Sequence, residues 1–178
     1  MRIIAGSRKG HKLHEFSGRD IRPTTDRVKE SVFNLIQEFI PGSRTLDLFG
    51  GSGALTFEAL SRGAESGICV DISGEAVSVI KKNQEELKFD NFAVINTDAA
   101  QFLKSTDKTF SVIFLDPPYN KGFITPVINQ IVDGGRLESG GIIVLESDFC
   151  DEHGEFSGLS VLKQRKYGRT YITVYQRG

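Results

Sequence analysis

The segment Asp116-Pro117-Pro118-Tyr119 has the residue types to position an amine for reaction. The Asp116 carboxylate and the Pro117 carbonyl are two hydrogen-bond acceptors, and the Tyr119 ring is a flat surface for stacking a nucleobase. An exocyclic amine on a base is a poor nucleophile because its lone pair is delocalised into the ring. Accepting both of its hydrogens would direct that lone pair at an electrophile, through positioning and electrostatics and without a covalent intermediate.

A short apolar run, Val112 to Leu115, directly precedes this aspartate and predicts a strand that is buried on both faces of a parallel sheet. Asp116 would then lie past the carboxyl end of the strand, at the edge of an open α/β sheet where ligands bind. The prolines have fixed φ angles and no N–H groups, so they predict a stiff turn. The alternative is that the segment is only a turn, because Asp and Pro are favoured turn residues.

A glycine-rich loop, Asp47-Leu-Phe-Gly50-Gly51-Ser-Gly53, stands between a predicted strand and a predicted helix. Glycines let backbone approach a ligand closely, and the helix N-terminus adds oriented N–H groups. The third glycine of the dinucleotide pattern is missing, as is the Gly-Lys-Ser/Thr of a triphosphate P-loop. The loop therefore disfavours a pyrophosphate ligand, which counts against a nicotinamide oxidoreductase.

Three carboxylates, Asp47, Asp71 and Asp98, stand at predicted strand ends. Asp71 is about as far from the loop as a ribose-binding carboxylate should be, and Asp47 could meet the cationic end of a ligand. Each alone is a common cap or turn residue. Together with the glycine loop they suit a ligand with an amino acid, a ribose and an adenine. S-adenosylmethionine has all three, and its sulfonium methyl is the electrophile that the amine-positioning turn lacks.

The elements around these residues alternate between strand and helix, which predicts a doubly wound α/β sheet. Strands are predicted at residues 45–49, 67–71, 93–96, 112–115 and 142–146, with an antiparallel pair at 159–162 and 170–175. Helices are predicted at 54–62, 75–87 and 124–132, after an amphipathic helix that ends near residue 40. The chain is interpreted as one domain, with residues 1–23 as a basic hairpin arm and residues 24–178 as the core.

The composition is that of an ordinary globular protein, with 178 residues of which 39% are hydrophobic and 25% charged. The sequence contains neither a long apolar span nor a signal peptide, so we expect a cytoplasmic protein. The two cysteines, Cys69 and Cys150, cannot build a disulfide framework. Three histidines without a Cys/His cluster do not favour a metal site.

The net charge of −1 conceals an uneven distribution along the chain. Residues 1–30 carry a net charge of +4, residues 163–178 carry +5, and the remainder carries about −10. Basic ends around an acidic middle predict a local phosphate-binding face despite the near-neutral total.

Several segments together resemble one enzyme family. The Asp47 to Gly53 loop with the Asp116 to Tyr119 turn is similar to class I S-adenosylmethionine-dependent methyltransferases that modify an exocyclic amine. Four further segments resemble the bacterial small-subunit ribosomal RNA guanine-N2 methyltransferases: Met1-Arg-Ile-Ile-Ala-Gly6, Lys9-Gly10, Arg22-Pro-Thr-Thr-Asp-Arg-Val-Lys-Glu30 and Tyr167-Gly168. The resemblance covers essentially the whole chain.

The resemblance implies a Rossmann-like, mostly parallel seven-stranded sheet with an antiparallel last strand. It assigns the target amine to Asp116, Pro117, Pro118 and Tyr119. It assigns S-adenosylmethionine to the strand ends and to a segment that closes over the site, namely Asp47, Phe49, Gly50, Gly51, Gly53, Asp71, Asp98, Ala99, Arg22 and Thr24.

The same resemblance implies a partner, either small-subunit ribosomal RNA or a ribosome assembly intermediate. We expect the protein itself to be a monomer. RNA phosphates would be held by the basic ends while one base is extruded and stacked. The residues expected to do this are Arg8, Lys9, Lys12, Arg27, Lys163, Arg165, Lys166 and Arg169.

The chain departs from the family at two positions. Gly50 stands where alanine is commoner, which should be harmless, and Ser111 replaces an aspartate and is expected to remove a structural cap.

Because Asp-Pro-Pro-Tyr is shared with adenine-N6 enzymes, adenine methylation of RNA or DNA remains an alternative. A second alternative is a ribosome-assembly module that binds RNA without activity.

Overall fold

A seven-stranded sheet runs through the part of the chain that the structure, a computed structural model, describes: residues 1–15, 26–118, 122–148 and 155–178. The helices are α1 (Asp26–Leu35), a 3-10 helix (Gln37–Phe39), α2 (Ala54–Ser61), α3 (Gly74–Leu87), α4 (Ala99–Ser105) and α5 (Ile124–Asp133). The strands are β1 (Arg44–Asp47), β2 (Ser66–Asp71), β3 (Phe92–Asn96), β4 (Phe110–Leu115), β5 (Leu137–Ser147), β6 (Leu159–Tyr167) and β7 (Thr170–Arg177).

The strand order is β3-β2-β1-β4-β5-β7-β6. Strands β1 to β5 are parallel, and β7 runs antiparallel to both of its neighbours, β5 and β6. The order reverses between β1 and β4, which is where open α/β sheets bind ligands. The predicted doubly wound sheet with a reversed last strand is therefore confirmed.

Each face of the sheet carries its own hydrophobic core, because successive side chains of a strand point to opposite faces. On one face, Phe114 of β4 packs with Phe33 of α1 and Phe57 of α2. On the other face, Ile113 packs with residues of α4, α5 and β7. The first core also includes Ile3 and Leu13 from the N-terminal arm, which we define as residues 1–15. The arm is thus packed into the core.

The structure differs from the sequence prediction in several elements, including β5, which begins at Leu137 rather than at residue 142. Helix α4 was not predicted, because seven residues are too few to show helical periodicity. The sequence predicts the two strands of the hairpin arm at residues 1–5 and 12–16, and in residues 1–15 of the structure they form a single antiparallel bridge between Arg2 and Lys12. The predicted long first helix ends at Leu35 and continues as the 3-10 helix. Strand β6 extends to Tyr167, five residues beyond the predicted end.

The described residues offer neither a membrane-spanning helix nor a metal-binding cluster. Among the described residues, none of the helices is both long and apolar enough to span a bilayer. No group of three or more His, Cys, Asp or Glu side chains in the same residues is arranged to hold a metal ion. Cys69 is a buried free thiol, and Cys150 lies outside the described residues.

Candidate active site at the carboxyl edge of the sheet

The predicted amine-binding turn begins where β4 ends. Residues Val112 to Leu115 are almost completely buried, which fixes the position of the residue that follows them. Asp116 is half-buried, Pro117 is buried and Pro118 is exposed. Tyr119 lies outside the described residues. The buried strand therefore places the Asp116 carboxylate at the carboxyl edge of the sheet, partly open to solvent.

The glycine loop lies at the same edge, on the neighbouring strand. Strand β1 pairs with β4 so that Asp47 is opposite Phe114, and the Leu48 N–H donates to the Phe114 carbonyl over 3.3 Å. Paired strands are about 4.8 Å apart, so Phe49 and Asp116, each two residues further along, border one space. The two turns predicted to hold the electrophile and the amine thus adjoin each other.

The glycine loop is a tight turn that needs glycine at two positions. Gly51 and Gly53 have φ angles of +56° and +78°, a region that side chains disfavour. The loop is fixed by hydrogen bonds from the Gly50 N–H to the Val70 carbonyl (2.9 Å) and from the Gly53 N–H to the Gly50 carbonyl (2.7 Å). Gly53 is the N-cap of α2, and no side chain caps that helix.

Gly50 is required for a different reason, which is packing. A Cβ at this position would come within 2.3 Å of the Cys69 Sγ and within 3.1 Å of Ile80. The Cys69 side chain therefore occupies the space that an alanine at position 50 would need. Glycine is therefore tolerated at position 50, because the Cys69 thiol occupies the space that a Cβ would fill.

Asp71, at the end of β2, is bonded to the glycine loop. Its Oδ2 accepts the Gly51 N–H and its Oδ1 accepts the Ser73 N–H, both over 2.8 Å. Each carboxylate oxygen has a second lone pair, so the half-buried Asp71 can still accept ribose hydroxyls. The next residue, Ile72, is 73% exposed and presents an apolar surface beside this carboxylate. The sequence analysis missed Ile72, although an apolar residue directly after a strand at this edge was a usable signal.

Asp98 is the N-cap of α4. Its Oδ1 accepts the N–H groups of Ala100 (2.9 Å) and Gln101 (3.2 Å), and Ala99 is buried in the first turn. Within the described residues the Asp98 Oδ2 makes no hydrogen bond, so the exposed carboxylate keeps one oxygen for a ligand. The capping and binding interpretations of Asp98 are therefore compatible.

Asp47 lies inside the protein rather than on the surface of the site. It is 1% exposed, and its Oδ1 accepts the Phe49 N–H over 3.3 Å. Burial raises the pKa of Asp47 to about 7, and the nearby Asp71 charge adds to this shift. The predicted direct contact with a cationic ligand end does not fit this burial, so Asp47 can act on a ligand only through space and through the Phe49 backbone.

The residues predicted to bind RNA fall into two groups. Six are exposed: Lys9, Lys12, Arg27, Arg165, Lys166 and Arg169. Of these, Arg165 and Lys166 also contact the Gln164 carbonyl and the Tyr171 ring, respectively, and the other two predicted residues are half-buried with structural partners. The Arg8 Nε donates to the Leu87 carbonyl (2.8 Å), and the Lys163 Nζ donates to the Leu35 carbonyl (2.7 Å). Arg22 and Thr24, which were expected to close over the cofactor, lie outside the described residues.

The sequence analysis also missed the side chains that attach the arm to the core. Glu58 of α2 is fully buried, and its carboxylate accepts the N–H groups of Ile4 (2.8 Å) and Ala5 (3.0 Å). It also pairs with Lys29 (3.0 Å) and Arg62 (2.8 Å). Burial lowers the pKa of the Lys29 ammonium, and the ion pair with Glu58 opposes that shift. In the sequence, a single glutamate within the otherwise mostly apolar α2 segment was the signal that could have indicated this role.

The sheet order, together with both turns at the carboxyl edge of neighbouring strands, defines a class I S-adenosylmethionine-dependent methyltransferase. Residues 1–176 match the family described as "Conserved hypothetical protein 95", and the chain belongs to this family.

Similar proteins of known name are methyltransferases. A Bacillus subtilis (strain 168) protein named as an rRNA methyltransferase, YlbH, is 41% identical over 182 residues, 99% of each chain. The ribosomal RNA small subunit methyltransferase D of Escherichia coli (strain K12) is 34% identical over 99% of this chain and 90% of its own. A solved structure from Escherichia coli, described as a methyltransferase named yhhF, has a TM-score of 0.92 and 34% identity over 99% of this chain and 97% of its own.

One more distant structure matches at the level of the fold. The protein SMU.776, described as a methyltransferase complexed with SAH, has a TM-score of 0.72 and 15% identity over 88% of this chain and 50% of its own.

Proposed function

We propose that this protein transfers the methyl group of S-adenosylmethionine to the N2 amine of a guanine in small-subunit ribosomal RNA, in the cytoplasm. Ribosomal RNA methylation is supported by the relatives that carry this name. The observation that carries the proposal is the adjacency of the glycine loop of β1 and the aspartate turn of β4 at one edge of the sheet.

The residues at this edge fit S-adenosylmethionine, which supplies an electrophilic methyl group when bound. Gly51 and Gly53 allow a close approach of the loop backbone. Asp71 would accept the ribose hydroxyls, and the exposed Ile72 would cover a face of the adenine. The Asp98 Oδ2 would accept a hydrogen bond from the adenine amine. The buried Asp47, whose pKa is about 7, would add negative charge near the cationic part of the cofactor in its ionised form.

The target amine would be held by the turn that follows β4. The Asp116 carboxylate accepts one N–H and the Pro117 carbonyl accepts the other, which directs the nitrogen lone pair at the methyl carbon. The new N–C bond forms while the S–C bond breaks, and the sulfur takes the electron pair. The resulting cationic amine then loses a proton to solvent, so no strong base is required.

The exposed cations suit an RNA substrate. Across the paired strands, Leu115 is level with Leu145, Thr173 and Gln164, so Asp116 is level with Arg165 of β6. β6 is three strands from β4, roughly 14 Å at ordinary strand spacing. The β6–β7 hairpin would therefore contact phosphates of neighbouring nucleotides rather than the target base.

The preference for guanine rests on the resemblance of the N-terminal segments, so the test must identify the base. Small-subunit ribosomal RNA from cells that lack the gene should lose one N2-methylguanine, as mapped by mass spectrometry of nuclease fragments. Loss of an N6-methyladenine instead would favour the adenine alternative. An unchanged modification map would favour the module that binds RNA without activity.

A matched pair of variants tests the role of Asp116. Complementation with Asp116→Ala should leave the RNA unmethylated, and the purified variant should lose several powers of ten in turnover while keeping its affinity for S-adenosylmethionine. Asp107→Ala, which removes an exposed carboxylate from the loop before β4, should restore methylation fully. Near-normal turnover by Asp116→Ala would disprove the assigned role.

A further inference from the structure

The side chain of Asn83 connects the N-terminal arm with the glycine loop. Asn83 lies on α3 and is 1% exposed. Its Oδ1 accepts the His14 N–H over 2.7 Å, and its Nδ2 donates to the carbonyls of His14 (3.0 Å) and Ser52 (2.9 Å). One buried amide therefore bonds the end of the described arm and the centre of the loop, and both of its N–H groups are used.

The bond to Ser52 adds a second restraint to a peptide unit of the glycine loop. Ser52 stands between Gly51 and Gly53, the two residues with positive φ, and glycines leave the most backbone freedom. The Ser52 carbonyl is held by Asn83, while the Gly53 N–H at the other end of the same planar unit donates to the Gly50 carbonyl. Asn83 thus helps to restrict the rotation of the peptide unit between Ser52 and Gly53, which the flanking glycines would otherwise favour.

The arm end of this connection carries exposed positive charge. Lys9 and Lys12 are exposed on the arm, whose backbone is bonded to Glu58 and Ser61 of α2. Helix α2 itself begins at Gly53 of the loop. A ligand that contacts the arm would therefore also act on the loop, by way of α2 and of Asn83.

We propose that Asn83 is a positioning residue that couples RNA contact by the arm to cofactor binding by the glycine loop. The proposal rests on the proposed function, since it takes the arm to contact RNA. Coupling of this kind is reciprocal, so RNA strengthens cofactor binding by the same factor by which the cofactor strengthens RNA binding. Such coupling factors are typically about fivefold or more.

The first experiment uses no RNA. Hydrogen–deuterium exchange of the whole protein, with and without saturating S-adenosylhomocysteine, reports on the arm through the N–H groups of Ile4, Ala5 and His14. The cofactor product should slow their exchange severalfold in the native protein. In Asn83→Ala, S-adenosylhomocysteine at a concentration that saturates the site should no longer slow the exchange of these N–H groups. Arm exchange that does not respond to the cofactor in the native protein, or that responds equally in the variant, would overturn the proposal.

The second experiment measures the coupling factor by calorimetry. S-adenosylhomocysteine should bind the native protein about fivefold or more tightly in the presence of a small-subunit ribosomal RNA fragment, and this ratio should fall towards one in Asn83→Ala. Asn83→Asp is a second variant, which keeps the acceptor for the His14 N–H and loses the donor to both carbonyls. Asn91→Ala is the control, because its amide donates to the Glu65 carbonyl in the loop between α2 and β2.

The outcomes separate this proposal from the proposed function. If the native protein binds no RNA, the proposed function fails. The exchange experiment still decides whether the arm and the cofactor-binding loop are coupled through Asn83. If RNA binds and the ratio stays the same in both Asn83 variants, Asn83 has only a structural role.

Discussion

Asp47 is a carboxylate at the carboxyl edge of the sheet that lies inside the protein. Its pKa of about 7 is far above the usual value for aspartate because the group is buried, so the folded protein takes up a proton that the unfolded chain releases near pH 4. The stabilising effect of that proton is complete below about pH 4 and is lost as the pH rises through about 7.

Replacing Asp47 with asparagine should remove this pH dependence. Between pH 4 and pH 7 the free energy of unfolding of the native protein should fall relative to that of Asp47→Asn, by up to about 4 kcal/mol for a shift of this size. Urea unfolding at a series of pH values measures the difference. Asp90→Asn, at an exposed position, is the control and should follow the native protein. A constant difference across this pH range would contradict the assigned pKa.

The close approach of Gly50 to the Cys69 thiol can be tested with variants of these two residues. Gly50→Ala places a Cβ 2.3 Å from the Cys69 Sγ and should destabilise the protein by about 1–3 kcal/mol, as overpacking usually does. Removing the thiol as well, in Gly50→Ala/Cys69→Ala, should recover much of that loss. Unfolding of the two single variants and the double variant gives the interaction energy. Strictly additive effects would show that the thiol is not the obstacle.

At the scale of elements, the buried Glu58 joins three segments. It accepts hydrogen bonds from the arm, pairs with Lys29 of α1 and pairs with Arg62 at the end of α2. This carboxylate explains why the arm is ordered although it forms only one strand bridge. The arm combines backbone hydrogen bonds of its own, such as that from the Ile3 N–H to the His11 carbonyl (2.9 Å), with hydrogen bonds to side chains of the core.

Glu58→Gln should therefore destabilise the protein and release the arm. Removing one partner leaves the Lys29 charge buried and uncompensated, which costs about 3–5 kcal/mol in comparable cases. Glu58→Gln/Lys29→Met, which removes both charges, should recover part of this loss. Urea unfolding gives the free energies, and hydrogen exchange at Ile4 and Ala5 reports on the arm. If the double variant is less stable than the single one, the buried charge is not the cause.

At the scale of the whole molecule, exposed positive charge lies on the two segments that the proposed function assigns to RNA. The arm carries Lys9 and Lys12, and the β6–β7 hairpin carries Arg165 and Arg169 near the carboxyl end of β6. The near-neutral total charge hides this arrangement because the rest of the chain is acidic. RNA binding should therefore depend on salt more strongly than the net charge of −1 suggests.

The salt dependence of RNA binding tests the hairpin surface. Each phosphate contact to single-stranded RNA contributes about 0.7 to the slope of log K against log salt concentration. Arg165→Ala/Arg169→Ala should lower the magnitude of that slope by roughly 1.4 in total, measured by fluorescence titration at several salt concentrations. Lys108→Ala removes an exposed cation from the loop before β4 and should leave the slope unchanged. An unchanged slope in the hairpin variant would exclude these arginines as phosphate contacts.

The sequence by itself determined the sheet, because buried parallel strands are continuous apolar runs and the glycine and proline turns mark their ends. Asp71, Asp98 and Asp116 could be placed at one edge for the same reason, since the carboxyl ends of parallel strands share an edge. These predictions depend on local pattern, and the observed strand order confirms the fold.

Only the tertiary structure decided the contacts between segments that are distant in the chain. The bonds of Asn83 to His14 and Ser52, and those of Glu58 to Lys29 and the arm, leave no periodic signal because each partner satisfies one buried polar group in a particular packing. The burial of Asp47 and the closeness of Gly50 to Cys69 likewise follow from how α2 and α3 pack on the sheet. A local pattern shows where a side chain stands along the chain, whereas its pKa and its partners depend on what the fold packs around it.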